Sequence, residues 1–367
     1  MIYVPVRSLG EEGWPLSRLD TALVVHAFSR FQPRVLALEL PLHGGDTFFP
    51  SYDAQLGGLL DRAALVSLAV SVTGQREEVT WDDWAAPVLP EALLEPVAAF
   101  PGWLPPLPVF RQNAYPGVGA LLPDADGVVR RVPLFFKIGG EWMPSFALQV
   151  VAQFWGIHWP ATRRGADGQL VLAGLDGKVL AELPVDRDGM VPVRLGPLPA
   201  GQEVDWQNAI LASEQMLTDE VPVFNLGLAR NKIVLVGRGH PEAGPLYRTT
   251  YGTLSSGDLQ ARMIHALLSG SFLKQVPFVI VVLAFVTAAV VGGLLGLLRK
   301  AWISVSLLLL LGATIAGGSF IVLDAGNWLV PWASLALICL AAWWAVRLVT
   351  KPVAPESDGS PGEAAQS

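Results

Sequence analysis

Three stretches near the carboxyl end carry no charge: residues 276–298, 301–323 and 328–346. Arg299 and Lys300 close the first, Asp324-Ala325-Gly326-Asn327 (a strong turn signal) the second, and Arg347 the third. About 20 apolar residues cross a hydrocarbon core roughly 30 Å thick. Read as one helix, 301–346 would reach about 69 Å at ~1.5 Å per residue. It would also hold Asp324 mid-span, at about 2.5–3.5 kcal/mol. Two spans joined by a tight turn avoid both problems, so the pattern predicts three transmembrane helices over 276–349.

Ahead of them the periods are those of an α/β domain. Residues 2–6 are apolar enough for a buried strand. Ser17 stands where a helix cap belongs, followed by Leu19, Leu23, Ala27 and Phe31 at four-residue spacing until Pro33. Residues 34–40 predict a second strand, 53–62 a helix and 64–72 a third strand. This order means parallel β-α-β units with right-handed crossovers. Residues 73–116, with many prolines and the acids Glu77, Glu78, Asp82 and Asp83, show no period and read as a Pro-rich excursion within the domain. Residues 117–122 and 127–136 flank Asp124-Ala125-Asp126-Gly127, a hairpin signal. Ser145 then caps a helix bearing Phe146, Leu148, Val150, Val151 and Phe154. Short strands are expected at 170–172, 179–183 and 191–195, a buried strand at 231–237 and a last helix at 257–268. The expected architecture is an α/β extracytoplasmic domain, a mixed sheet with flanking helices, over 1–275. A three-helix transmembrane segment and a disordered cytoplasmic tail (350–367) follow.

Charge sets the sidedness. Hydrophobic residues make up 52% of the 367 and charged residues 16%, against roughly a quarter charged in soluble domains. Residues 1–275 hold 21 Lys and Arg against 28 Asp and Glu, a balance of −7 that equals the whole chain's. An acidic head without a basic run has little to offer a phosphate backbone, so no nucleic-acid partner is expected. Arg299, Lys300, Arg347 and Lys351 place the first membrane loop and the C-terminus in the cytoplasm by the positive-inside rule. Three crossings then put residues 1–275 outside, with Trp328, Trp332, Trp343 and Trp344 near the ends of the last span. Export of such a head is not explained by residues 1–7, which make neither a signal peptide nor a span. An upstream spanning segment is therefore expected. The pairs Gly292-Gly293 and Gly317-Gly318, rather than a G-x-x-x-G spacing, are where close helix approach is expected. The single cysteine, Cys339, excludes a disulfide framework.

The order of these landmarks resembles the type-two CHASE domain, the extracellular sensor found ahead of bacterial histidine kinases, adenylate cyclases and serine/threonine kinases. Gly13-Trp14-Pro15 with Arg18 follows the first strand. Glu39 stands on the second strand where an aspartate is more usual, and Asp53 opens the next helix. Asp126-Gly127, Arg130, Arg131, Pro133 and Pro144-Ser145 follow in the family's order, and Lys232–Gly237 matches its late apolar strand. Gly257-Asp258-Leu259-Gln260-Ala261 lacks the family's histidine, and no output domain follows the third span. The resemblance implies a bacterial inner-membrane sensor working as a homodimer and passing its signal to a separate cytoplasmic kinase or cyclase.

Catalytic chemistry is not evident. Asp124-X-Asp126-Gly127 lacks the further ligands of a calcium loop. His26, His43, His158, His240 and His265 are scattered, Gly237-Arg238-Gly239 fits neither phosphate-loop pattern, and Ser8, Asp20 and His26 have no spacing that makes a triad. No enzyme activity, metal or cofactor is expected. Ligands of open α/β sheets settle beyond the carboxyl ends of the strands, where Glu39 and the 42–47 and 237–240 loops belong. Trp14, Arg18, Glu39, Asp53 and Arg238 are therefore the candidate ligand-binding residues, for an unknown small-molecule or protein signal. The structural alternatives are an ion pair of Glu39 with Arg18 or Arg34, Trp14 as core or lid, and Arg130 and Arg131 as edge residues. The alternative function is a non-signalling scaffold or assembly subunit that binds protein through a Trp-rich outer surface.

Overall fold

The computed structural model describes residues 1–7, 16–46, 49–75, 84, 89, 98–298 and 300–350, in two compact units, Met1–Phe272 and Leu273–Ser367. Gly13, Trp14 and Pro15, the four acids at 77–83, Arg299 and the expected tail beyond Thr350 lie outside the described residues.

The first unit opens with β1 (Ile2–Val6), α1 (Arg18–Ser29), β2 (Val35–Glu39), α2 (Ser51–Leu60) and β3 (Val66–Thr73). The strand Ile233–Arg238 enters between β1 and β2, pairing in parallel with both. The sheet runs on in parallel through β3 to Ala114–Val118, and Gly102–Leu104 adds antiparallel to the carboxyl half of β3. β1 and β2 are buried at every position, as strands covered by helices on both faces must be. Alternate side chains divide between two layers. Val4, Leu36, Leu38 and Val236 join α1, α2 and the helix α4 (Trp206–Leu217). Tyr3, Val35, Ala37 and Leu235 join α3 (Phe146–Trp155) and α5 (Ser256–Ser269).

Ser17 caps α1, its hydroxyl accepting from the Asp20 N–H. Of the four spaced residues Ala27 is buried and Phe31 packs on the core, but Leu23 is 41% exposed, and Thr21, Val24, Val25 and Phe28 are buried instead. The i, i+3, i+4, i+7 rule outranks the simple four-residue spacing. Two further expectations do not hold. The expected excursion over 73–116 ends inside Ala114–Val118, a strand that pairs with β3 alone at the end of the parallel sheet, whose Gly117 lies so near α3 that a Cβ would sit 2.6 Å from the Phe146 Cα. The Asp124–Gly127 turn forms, with the Asp124 N–H donating to the Val128 carbonyl at 3.0 Å, but its flanks do not pair. Ala114–Val118 is taken by β3, Val128–Val129 by Tyr247–Thr249, and Arg131–Pro133 by Met190–Pro192. A turn signal sets the bend, while the partners of its flanks lie far away in the sequence.

In the second unit α6 (Phe278–Gly296), α7 (Ala301–Gly326) and α8 (Trp332–Val349) are each long and apolar enough to cross a membrane. α7 runs through Asp324 and stops at Asn327, whose φ of 55° is left-handed, so the expected turn begins three residues later. Lys274–Gln275 pairs with Trp328–Leu329, tying the start of α6 to the approach to α8. α6 packs on α8 through Gly292, against the Cys339 carbonyl, and Gly296, where a Cβ would lie 2.8 Å from the Trp343 carbonyl. These two are a G-x-x-x-G spacing after all, and neither Gly317 nor Gly318 has a neighbour within 4 Å of a Cβ position.

Candidate ligand-binding cleft

Glu39 ends β2 with no exposure and lies opposite Gly237 in the neighbouring strand. A buried carboxylate needs a charged partner, and the next residue supplies it. Glu39 accepts from the Arg238 N–H at 3.1 Å, from its Nε at 3.0 Å, and from its Nη2. Burial opposes the Arg238 charge, and Glu39 more than offsets this, leaving the guanidinium pKa above its ordinary value. The alternative pairing of Glu39 with Arg18 or Arg34 is thereby replaced. It fails because insertion of Ile233–Arg238 beside β2 puts a third arginine closer than either.

Arg18 pairs with Asp53 instead. Its Nε donates to Asp53 at 3.1 Å, and its Nη1 and Nη2 to the carbonyls of Pro41 at 3.1 Å and Gly44 at 2.7 Å. Asp53 also accepts from the Asp46 N–H, and Asp46 from the Arg18 N–H, both at 2.9 Å. All but the Arg18–Asp53 bond itself end on residues 41–46. Arg18 and Asp53 thus hold a wall in place, with Phe110 under the guanidinium at 5.6 Å.

At the carboxyl ends of the strands, with Pro41 the one residue of 41–46 among its described lining, lies a cleft of about 440 Å³. Leu40, Pro41, Val70, Val72, Phe100, Leu121 and Leu122 make its apolar sides, with Ser71, Arg238 and Tyr247 as polar groups. Of the sequence-predicted residues, Arg238 lines the cleft, Glu39 anchors Arg238 from behind, and Arg18 with Asp53 supports the wall. Tyr247 was not among them, since nothing in its local pattern distinguishes it. Burial raises the Tyr247 pKa; the Arg238 charge works against this and Glu39 with it.

The rear of Arg238 meets α5. A Cβ on Gly257 would lie 2.6 Å from both the nitrogen and the oxygen of the Arg238 backbone, so only glycine permits this contact. Ser255 caps α5 and Asp258 sits in its first turn. Arg7 bridges Asp258 at 3.2 Å to Glu203 at 2.7 Å. Tyr3 is fully buried here. Its pKa stands well above the usual 10.0, raised first by burial and then by Asp258 and Glu39.

Arg130 and Arg131 are more than edge residues. Arg131 joins Asp124, Asp186 and Asp188 at 2.6–2.8 Å, while Arg130 holds Asp126 at 2.6 Å. The hydrogen bond from Arg130 lowers the Asp126 pKa to about 2. Among the described residues no three His, Cys, Asp or Glu side chains group to hold a metal ion.

Nothing among curated proteins or solved structures matches this chain. The CHASE2 domain family matches over residues 4–298, well over half of the 367. The parallel sheet flanked by helices and the three apolar helices agree with what the resemblance implied. The chain belongs to the CHASE2 domain family, whose members are sensory extracellular domains.

Proposed function

We propose that residues 1–275 form an extracytoplasmic sensor that binds its signal in the cleft beside Arg238. Helix α5 and the three membrane spans of 276–349 carry the response to a separate cytoplasmic output partner, a kinase or cyclase, with the chain working as a homodimer. The observation that carries this reading is the contact of Gly257 on the Arg238 backbone. The polar end of the cleft rests on the first turn of α5, and α5 leads within nine residues into α6. A ligand biases the spans only by its differential affinity for two arrangements, and a backbone contact without an intervening side chain is a stiff way to transmit that difference. Glu39 would hold Arg238, and Arg18 with Asp53 the 41–46 segment, rather than all touch the ligand.

The scaffold alternative relied on a Trp-rich surface. Among the described residues of Met1–Phe272, Trp84, Trp103, Trp159 and Trp206 are buried and Trp142 and Trp155 half-buried, which removes its main support. The test is a thermal-shift screen of the detergent-solubilised full chain against a small-molecule library, repeated on Ala120→Trp, which fills the cleft from a half-buried loop position. Hits lost in the variant support the sensor. No hit, together with a stoichiometric protein that co-purifies through the head, overturns it in favour of the scaffold.

A further inference from the structure

We infer that the ligand of the cleft is a small monocarboxylic acid with an apolar body, its carboxylate held by Arg238 and Tyr247. This rests on the cleft being the ligand site. Glu39 occupies one edge of the guanidinium, through Nε and Nη2. The other edge, with Nη1, makes no hydrogen bond or ion pair among the described residues. It lies beside Gly244, where a Cβ would come within 3.2 Å of Nη1. An arginine fork has donors only and matches two oxygens in one plane. Tyr247, whose pKa is raised, keeps its proton and adds a third donor. Among the described residues Arg238 is the only charged side chain lining the cleft; Ser71 adds a hydroxyl, and the other side chains of the walls are aliphatic or aromatic.

The buried Glu39 sets the ligand's charge. It already neutralises Arg238, so a dianion such as phosphate would bring two more negative charges next to a carboxylate that cannot move into water. A monoanion brings one, opposed by the free guanidinium edge and the first turn of α5 behind it. A volume of about 440 Å³ lies within the range of small-molecule pockets and holds an aromatic ring or branched chain.

The experiment uses the full chain in detergent, with phenylacetate and 4-methylpentanoate as probes, their amides as neutral counterparts, and inorganic phosphate. Thermal unfolding and titration calorimetry read the binding. Both acids are expected to raise the Tm and to bind at least about tenfold more tightly than their amides, a factor equivalent to ~1.4 kcal/mol, with phosphate inert. Arg238→Lys keeps a charge for Glu39 but loses the planar fork, and Tyr247→Phe removes one donor. Each is expected to erase most of the preference for acid over amide. Amides that bind as well as acids, with both lost in Ala120→Trp, overturn the carboxylate assignment and leave the cleft as the sensor's site. Acids that bind equally well to Ala120→Trp, or no binding by either acid, overturn it too; the library screen then decides the wider reading separately.

Discussion

At the scale of single residues the domain is organised by two buried ion pairs at the carboxyl ends of its strands. Arg18 and Asp53 have side chains only 8% and 11% exposed, so removing one leaves a buried charge without its opposite charge. Arg18→Met is expected to lower stability by about 3–5 kcal/mol, and the double variant Arg18→Met/Asp53→Leu by less than the single. Thermal unfolding of the full chain in detergent checks this, and a double variant weaker than the single would show that the pair itself stabilises. Tyr3 adds a pH dependence. Its folded-state pKa is raised above 10.0, so the folded form holds the phenolic proton more tightly than the unfolded chain. That contribution is full below pH 10 and is lost as pH rises towards the folded-state value. Tyr3→Phe is expected to flatten the fall of Tm above pH 10; an unchanged fall would refute it. The charged residues of these pairs were legible in the sequence because they stand at strand ends and helix starts. Their partners were not. Glu39 meets Arg238 across 199 positions, and only the insertion of one strand between β1 and β2 brings them together.

At the scale of elements, local signals were read well and pairings poorly. Ser17 and Ser145, both expected as caps, hold their helices with their own hydroxyls, which is short-range chemistry that a sequence displays openly; Ser255 caps α5 in the same way without having been expected. The Asp124–Gly127 turn is equally local, yet its flanks leave for different sheets, since Ala114–Val118 pairs with β3, Val128–Val129 with Tyr247–Thr249 and Arg131–Pro133 with Met190–Pro192. The membrane helices repeat the lesson. Four glycines in two adjacent pairs look alike in sequence, but only Gly292 faces a neighbouring backbone closely, with Gly296 one turn on as its companion. Small residues let helices approach in lipid, where packing rather than the hydrophobic effect drives association. Gly292→Leu is therefore expected to separate α6 from α8 and to lower the Tm of the full chain in detergent by several degrees. Gly317→Leu, which meets nothing within 4 Å, should leave it unchanged. Equal losses in the two variants would show that the contact does not hold the helices together.

At the scale of the whole molecule, the proposed sidedness rests on parity and charge together. Three crossings must leave the two ends of the chain on opposite faces of the bilayer, whichever way it inserts. The choice between the two orientations rests on Arg299, Lys300, Arg347 and Lys351 against Asp324 in the other connection, since basic loop residues are retained in the cytoplasm and acidic ones contribute little. Proteinase K added to intact spheroplasts is expected to digest the head and to leave a fragment carrying a C-terminal tag; the tag should be lost only after lysis. Replacing the four basic residues with Gln should yield a mixed population in which part of the head is protected. A head protected in the unaltered chain, with the tag removed from outside, would invert the topology. The cleft beside Arg238 would then face the cytoplasm, and an extracellular signal could not reach it.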